Sequence, residues 1–191
     1  MSRTSAGTAA RALVAALLLS LPGHLAAQAT QAATIDGILD LGSTGSPRIL
    51  PGLTDRVQVT RAGTDDWVQA EAGMELFRSD RVLVEARTIA RLAIHAGEAR
   101  GEAHLSSSLL TRSESLVVES IGGADQALYE IQDVPRELGD LQLAVVRGSL
   151  ALDWVQGRLL LFTAGIRAVV SGTELILTTS EDGQQAVLHL I

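Results

Sequence analysis

The sequence predicts an all-β chain: a sandwich or roll of short, mainly antiparallel strands, preceded by a cleavable signal peptide. Three observations predict it. Polar and apolar residues alternate at every second position in several separate stretches, the period of half-buried strands. Gly and Asp turn signals divide those stretches at short intervals, which favours a sandwich, barrel or roll over βαβ units. The N-terminal stretch has the layout of a secretory signal and falls outside the domain.

Arg3 and Arg11 form a positive n-region, residues 12–21 are apolar apart from Ser20, and Pro22-Gly23 breaks the run before a small-residue stretch. Ala27-Gln28-Ala29 supplies an A-x-A cleavage site, with cleavage after Ala27 as the near alternative. The apolar run is half the ~20 residues that a membrane-spanning helix requires, so no transmembrane anchor is expected. Residues 1–29 are therefore assigned to the signal peptide, 30–53 to a lead-in that is one strand or a flexible stretch, and 54–191 to the β domain.

Within the domain, Arg56-Val57-Gln58-Val59-Thr60-Arg61 sets Val57 and Val59 on one face and polar residues on the other. The alternation returns at Arg81–Glu85, Ala90–His95, Leu141–Val145 and Ser149–Trp154. Leu159–Phe162 and Leu175–Leu177 are apolar on both faces, as strands covered on two sides are. Turns are expected at residues 62–66, 96–98, 121–125, 156–157 and 181–183. Asp182-Gly183 is the clearest hairpin signal, read as a two-residue type I′ turn. Ala127–Leu138 is ambiguous: Leu128, Ile131 and Val134 have near-helical spacing, yet Pro135 would end a helix early. No repeat is established, because the echo between Arg147–Leu150 and Ser171–Leu175 occurs only twice.

Composition excludes several function classes. Acids outnumber bases 22 to 15, and every base is Arg. Loss of Arg3 and Arg11 with the signal leaves 13 Arg against 22 acids, a formal charge of −9. That argues against a nucleic-acid partner. The absence of Cys removes disulfides, thiolate metal sites and Cys nucleophiles. An exported chain without staples must rely on its core, and ~160 residues suffice for one.

The order of certain residues is similar to a known family. Arg56–Gly63, then Trp67-Val68, then Ala72-Gly73-Met74-Glu75-Leu76 and Ser79-Asp80-Arg81-Val82 resemble the opening of FecR-like domains. Val146-Arg147-Gly148-Ser149-Leu150-Ala151-Leu152 resembles the family's paired strands around a Gly, and Phe162–Gly165 with Val169–Leu175 resembles its Thr-Pro and Val-Arg-Gly-Thr-Glu segments. The resemblance covers Thr54 to Ile191. Ser79 stands where the family usually has Gly, Ala164 where it has Pro, and Ser171 where it has Arg. The family's namesakes join a cytoplasmic anti-sigma segment to a periplasmic portion that contacts a receptor. Here the apolar run begins at Ala12, so a stand-alone exported form without the anti-sigma segment is expected.

The signature residues Trp67, Gly73, Asp80, Gly148, Gly172, Thr173 and Glu174 read as structural. Trp67 is expected to pack in the core and anchor the first hairpin. Gly148 and Gly172, between apolar strands, suit bulges or close backbone approach. Asp80 is expected to accept backbone N–H groups at a strand entrance, and Thr173 to hydrogen-bond a neighbouring turn.

No catalytic constellation is legible. His95, His104 and His189 lack the spacing of a metal site, no Gly-x-Ser-x-Gly elbow occurs, and the carboxylates single out no glycosidase-like pair. Phosphate-loop, dinucleotide and calcium-loop motifs are missing as well, and no cofactor is expected. Arg78, Arg81, Arg87 and Arg91 crowd together. On one continuous strand Arg87 and Arg91 would point the same way and form an anion or partner contact. The alternative is a solvated sheet face paired with Glu85, Glu98 or Glu102. The expected function is a non-enzymatic interaction module of the bacterial envelope, periplasmic or at the cell surface, that binds an envelope protein or an acidic glycan and is linked to signalling. A scaffold that homo-oligomerises through sheet edges is the second reading, and a small hydrolase is the third.

Overall fold

The computed structural model of the chain describes residues 30–41, 47–113, 116–123, 125–132, 139–163 and 165–191, with the backbone alone over 108–123. The signal peptide expected at 1–29 lies outside the described residues. The strands are β1 (Gln31–Asp40), β2 (Arg48–Ile49), β3 (Thr54–Thr60), β4 (Trp67–Ala70), β5 (Glu75–Phe77), β6 (Arg81–Glu85), β7 (Thr88–Ile94), β8 (Arg100–Ser106) and β9 (Ser108–Ser113). There follow β10 (Leu116–Gly123), β11 (Gln126–Gln132), β12 (Leu141–Arg147), β13 (Ser149–Gln156), β14 (Leu159–Phe162), β15 (Arg167–Val170), β16 (Thr173–Thr179) and β17 (Ala186–Leu190). No helix occurs among the described residues.

Two sheets pack face to face. One has the order β17-β16-β13-β8-β7-β1-β2, with β5 also on β1; the other has the order β15-β14-β12-β11-β6-β3-β4; β9 and β10 form a separate hairpin. The inner faces follow from parity. Ile35, Leu92, Leu105, Leu150, Leu152, Leu175 and Leu177 of the first sheet meet Val57, Val59, Val82, Val84, Ile131, Leu141 and Leu143 of the second in one buried cluster. The stretch 30–53, expected as a lead-in to the domain, supplies β1 and β2. Because β1 pairs with β7 and buries Ala32, Ala33, Ile35 and Ile38, it belongs to the sandwich itself.

The connection from β12 to β13 positions much of the molecule. β12 lies in the seven-stranded sheet and β13 in the eight-stranded one, so the chain crosses between sheets at Gly148, whose φ is +113°. β14 returns to the first of these sheets and pairs with β12 in parallel, from Leu141↔Leu159 to Ala144↔Phe162. Under the crossing sits Tyr129, the one tyrosine of the chain. Its hydroxyl accepts the N–H of Ser106 at 3.0 Å and donates towards the carbonyls of Ser149 at 2.5 Å and Ser106 at 2.7 Å. A side chain from one sheet thereby ties down the backbone of the other. Burial pushes its phenol far above the ordinary tyrosine range.

Two expectations are corrected, and one ambiguous stretch is resolved in part. Trp67 is not a core residue: it is 37% exposed, on edge strand β4. The buried indole belongs to Trp154, whose ring lies over Gly101 and whose Nε1 donates to the Gly157 carbonyl at 3.0 Å. Of the ambiguous stretch 127–138, residues 127–132 are strand: β11 lies between β6 and β12 with Ala127, Tyr129 and Ile131 inward. Residues 133–138, Pro135 among them, lie outside the described residues. Asp182-Gly183 does mark a hairpin, but not a two-residue one. Ser180 N–H donates to the Gln185 carbonyl at 2.8 Å, and only Gly183 of the pair has a positive φ. A four-residue loop needs a single left-handed residue where a type I′ turn needs two.

Candidate functional site: a cleft on the seven-stranded sheet

Directly opposed residues share a sheet face, and one such row crosses the whole seven-stranded sheet. It runs Trp67, Thr60, Arg81, Glu130, Ala144, Phe162, Arg167. At about 4.8 Å per strand it spans roughly 29 Å. An arginine covers an aromatic ring at each end: Arg81 lies 5.6 Å from the Trp67 ring centroid, and Arg167 lies 4.5 Å from that of Phe162. Arg81 also reaches Asp65 at 3.5 Å. Stacking of this kind holds both partners in place.

The Phe162 end of the row opens into a cleft of about 580 Å³. Two hairpin loops form its walls, the one joining β14 to β15 and the one joining β16 to β17. Its floor is β12 at Ala144–Val146 with Glu130 and Gln132 of β11 beside it. Local sequence explains each wall. Thr163 and Ile166 exchange backbone hydrogen bonds at 3.0 and 3.4 Å, which sets Phe162 opposite Arg167. Gly183 approaches β12 so closely that a Cβ there would lie 2.7 Å from the Val146 carbonyl oxygen.

Its polar groups are held in place. Gln142 donates to the Gln132 amide oxygen, and Gln132 in turn donates to Glu130 at 2.9 Å. Asp182 accepts from the Ser180 hydroxyl at 2.6 Å and the Gln184 N–H at 3.0 Å, and these bonds hold its carboxyl below the ordinary aspartate range. Thr163 is 7% exposed, and its hydroxyl has no hydrogen-bond partner. Buried hydroxyls normally have one. Two carboxylates, Glu130 and Asp182, thus line one concave site. Asp182, which stays ionised, suits the role of a fixed acceptor; a general acid needs its proton retained near neutrality.

The arginines singled out by sequence do not converge. The turn between β6 and β7 crosses from one sheet to the other, and Arg87 stands in it with φ +61°. Arg81 therefore lies on the seven-stranded sheet and Arg91 on the eight-stranded one, while the Arg87 carbonyl, in the turn before β7, accepts the Leu41 N–H at 2.9 Å. Arg87 and Arg91 are not on one continuous strand, and that expectation is corrected. Arg91 pairs with Asp36 at 2.5 Å rather than with Glu85, Glu98 or Glu102, beside the β1 bulge at Gly37. Arg78 donates to the Asp140 carbonyl at 2.8 Å.

The remaining signature residues occupy structural positions. Asp80, buried, accepts the Phe77 N–H at 2.9 Å and an Arg61 N–H at 2.5 Å, while the Arg61 guanidinium stacks on Phe77 at 5.3 Å. Gly73 lies in a turn and Gly172 in a bend with φ +59°, where an added Cβ would meet nothing within 4 Å. The close backbone approach expected of Gly148 and Gly172 is found at Gly148 and corrected at Gly172. Thr173 stands opposite Trp154, and Glu174 opposite Asp153. Among the described residues, no group of three or more His, Asp or Glu is arranged to hold a metal ion. No described helix is long and apolar enough to cross a membrane.

Sequence reading missed Glu130, Gln132, Phe162, Arg167 and Asp182. One signal was present: the short span of Phe162-Thr163-Ala164-Gly165-Ile166-Arg167 around a turn sets the aromatic and the arginine across from each other. No family model, curated protein or solved structure matches the chain.

Proposed function

We propose that the chain is an exported, FecR-like β module of the bacterial envelope that works by binding rather than by catalysis, with its partner seated in the cleft on the seven-stranded sheet. The observation that supports this reading is the cleft itself. It is concave, of the size of small-ligand sites (roughly 300–1,000 Å³), floored by Val146 and Phe162 and edged by Arg167, Glu130 and Gln132. Glu130 is pre-oriented by Gln132 and Asp182 by its own loop, which lowers the ordering cost of binding.

The test is recovery of a partner from envelope extract by the processed chain and by Val146→Arg, which fills the cleft floor. One stoichiometric protein or one glycan fraction retained by the first and lost by the second is expected. Retention of nothing, or equal retention by both, contradicts the reading.

A second reading has its own observation. Edge strand β17 carries no Pro and no Arg, and Val187, Leu190 and Ile191 at that edge are 55%, 71% and 58% exposed. Such an edge lacks the devices that prevent strand addition and favours assembly through β17. A strict monomer by light scattering at high concentration counts against it, and Leu190→Pro, at an exposed position far from the β16–β17 loop, is expected to remove it.

A further inference from the structure

We propose that the cleft is a subsite for a neutral sugar unit. The inference rests on the binding-module reading above and names the chemistry of its ligand.

Charge is the first argument. Glu130 and Asp182 bring two carboxylates, and Arg167 brings one guanidinium already stacked on Phe162. An acidic ligand would meet more acceptors than donors, and a cationic one would meet the guanidinium. The carboxylates are also engaged separately, Glu130 by Gln132 and Asp182 by its own loop. Among the described residues, no side-chain group is shared between them. A ligand rich in O–H donors and without net charge satisfies both acceptors at no Coulombic cost.

Shape is the second. Val146 is half-exposed, and the Phe162 ring shares the cleft with it. This is an apolar platform beside planar amide and carboxylate groups. A pyranose has the matching anatomy, a C–H face to lie on the platform and equatorial hydroxyls to reach the planar groups. Aromatic and amide groups together provide this mixture of apolar body and fixed hydrogen bonds.

The third argument is Thr163. Its buried hydroxyl is left without a partner beside the cleft, and a ligand hydroxyl that reaches it would supply the missing bond. Among the described residues that line the cleft, it is the one buried side-chain group in this condition.

The experiment is calorimetric titration of the processed full chain with maltohexaose, cellohexaose and chitohexaose. Oligogalacturonate serves as the acidic probe and spermine as the cationic one. Binding of at least one neutral oligosaccharide is expected. Val146→Arg should weaken it at least tenfold, and Thr163→Val about three- to tenfold, the worth of one hydrogen bond. Both variants should keep the circular dichroism of the parent. If oligogalacturonate or spermine binds instead and Val146→Arg abolishes it, the sugar assignment fails while the cleft survives as a binding site. Binding of none of the probes overturns the sugar assignment, and so does neutral binding indifferent to both substitutions. Cleavage of an oligosaccharide that Glu130→Gln stops would overturn the non-catalytic reading and keep the sugar.

Discussion

A Cβ placed on Gly148 would lie 2.8 Å from the hydroxyl of Tyr129. The two residues define the point where the chain passes from one sheet to the other, and each is intelligible only through the other. Tyr129 reaches up from β11 to bond the backbone of Ser106 and Ser149. Only a residue without a side chain leaves room for that hydroxyl and accepts φ +113°.

Gly148→Ala should therefore be among the most damaging single-methyl additions in the chain. The new methyl would also stand 2.5 Å from the Ala127 Cβ and 2.8 Å from the Ser106 carbonyl oxygen. Overpacking combined with a backbone that L-residues avoid costs about 3 kcal/mol or more. Urea denaturation checks this, and a loss below 1 kcal/mol would show that the crossing relaxes freely.

Tyr129 gives the protein an alkaline limit. With neither Lys nor Cys in the chain, it is the one side chain whose ordinary titration falls between pH 9 and pH 12. Its folded pKa is raised, so the folded state holds the proton that the unfolded state releases near pH 10. Stability is complete below that pH and falls by about 1.4 kcal/mol per unit above it. Tyr129→Phe should abolish that slope and cost about 2 kcal/mol at neutral pH by stranding the Ser106 and Ser149 backbone groups. Tyrosinate absorbance should appear only as the fold is lost; its appearance near pH 10 in folded protein would contradict the burial.

Ser79 adopts φ +71° ahead of the buried Asp80. The left-handed conformation costs an L-residue about 1–2 kcal/mol, partly offset by the greater unfolded-chain entropy of Gly. Ser79→Gly should raise stability by about 0.5–1 kcal/mol, read as a higher Tm in calorimetry. A lower Tm would mean that the serine side chain makes a contribution of its own.

Thr163→Val removes a buried hydroxyl that has no partner and keeps its shape. An unsatisfied group of this kind costs about 1 kcal/mol or more, so the variant should gain stability while it loses ligand. A gain in one property with a loss in the other is the signature of a binding residue. Destabilisation by the substitution would show that the hydroxyl supports the hairpin instead.

Much of the fold was legible because parity is local. The alternation in Arg56–Arg61, Arg81–Glu85 and Leu141–Val145 reports inner faces without reference to any other part of the chain, and Val57, Val82 and Leu143 are buried accordingly. Parity does not report which of two opposite faces a large residue takes. Trp67 was misassigned for that reason: it opposes Thr60 on the outer face, and burial went to Trp154. Nor does it report where a strand changes sheets, so the crowding of Arg78, Arg81, Arg87 and Arg91 in sequence gives no sign that the turn at Arg87 sets Arg81 and Arg91 on different sheets. The cleft was the least legible feature. It joins Glu130, Val146, Phe162 and Asp182, which are distant in sequence and adjacent only because β14 pairs in parallel with β12 and the last hairpin folds over them.

The most direct test of the cleft as the working surface is amide chemical-shift mapping of the isotope-labelled processed chain with maltohexaose, cellohexaose and chitohexaose added in turn. The account predicts perturbations confined to Thr163–Arg167, Asp182–Gln184 and Ala144–Val146 for at least one of them. Shifts centred on edge strand β17 or on the face that carries Arg91, or no shifts with any of the three, would contradict it.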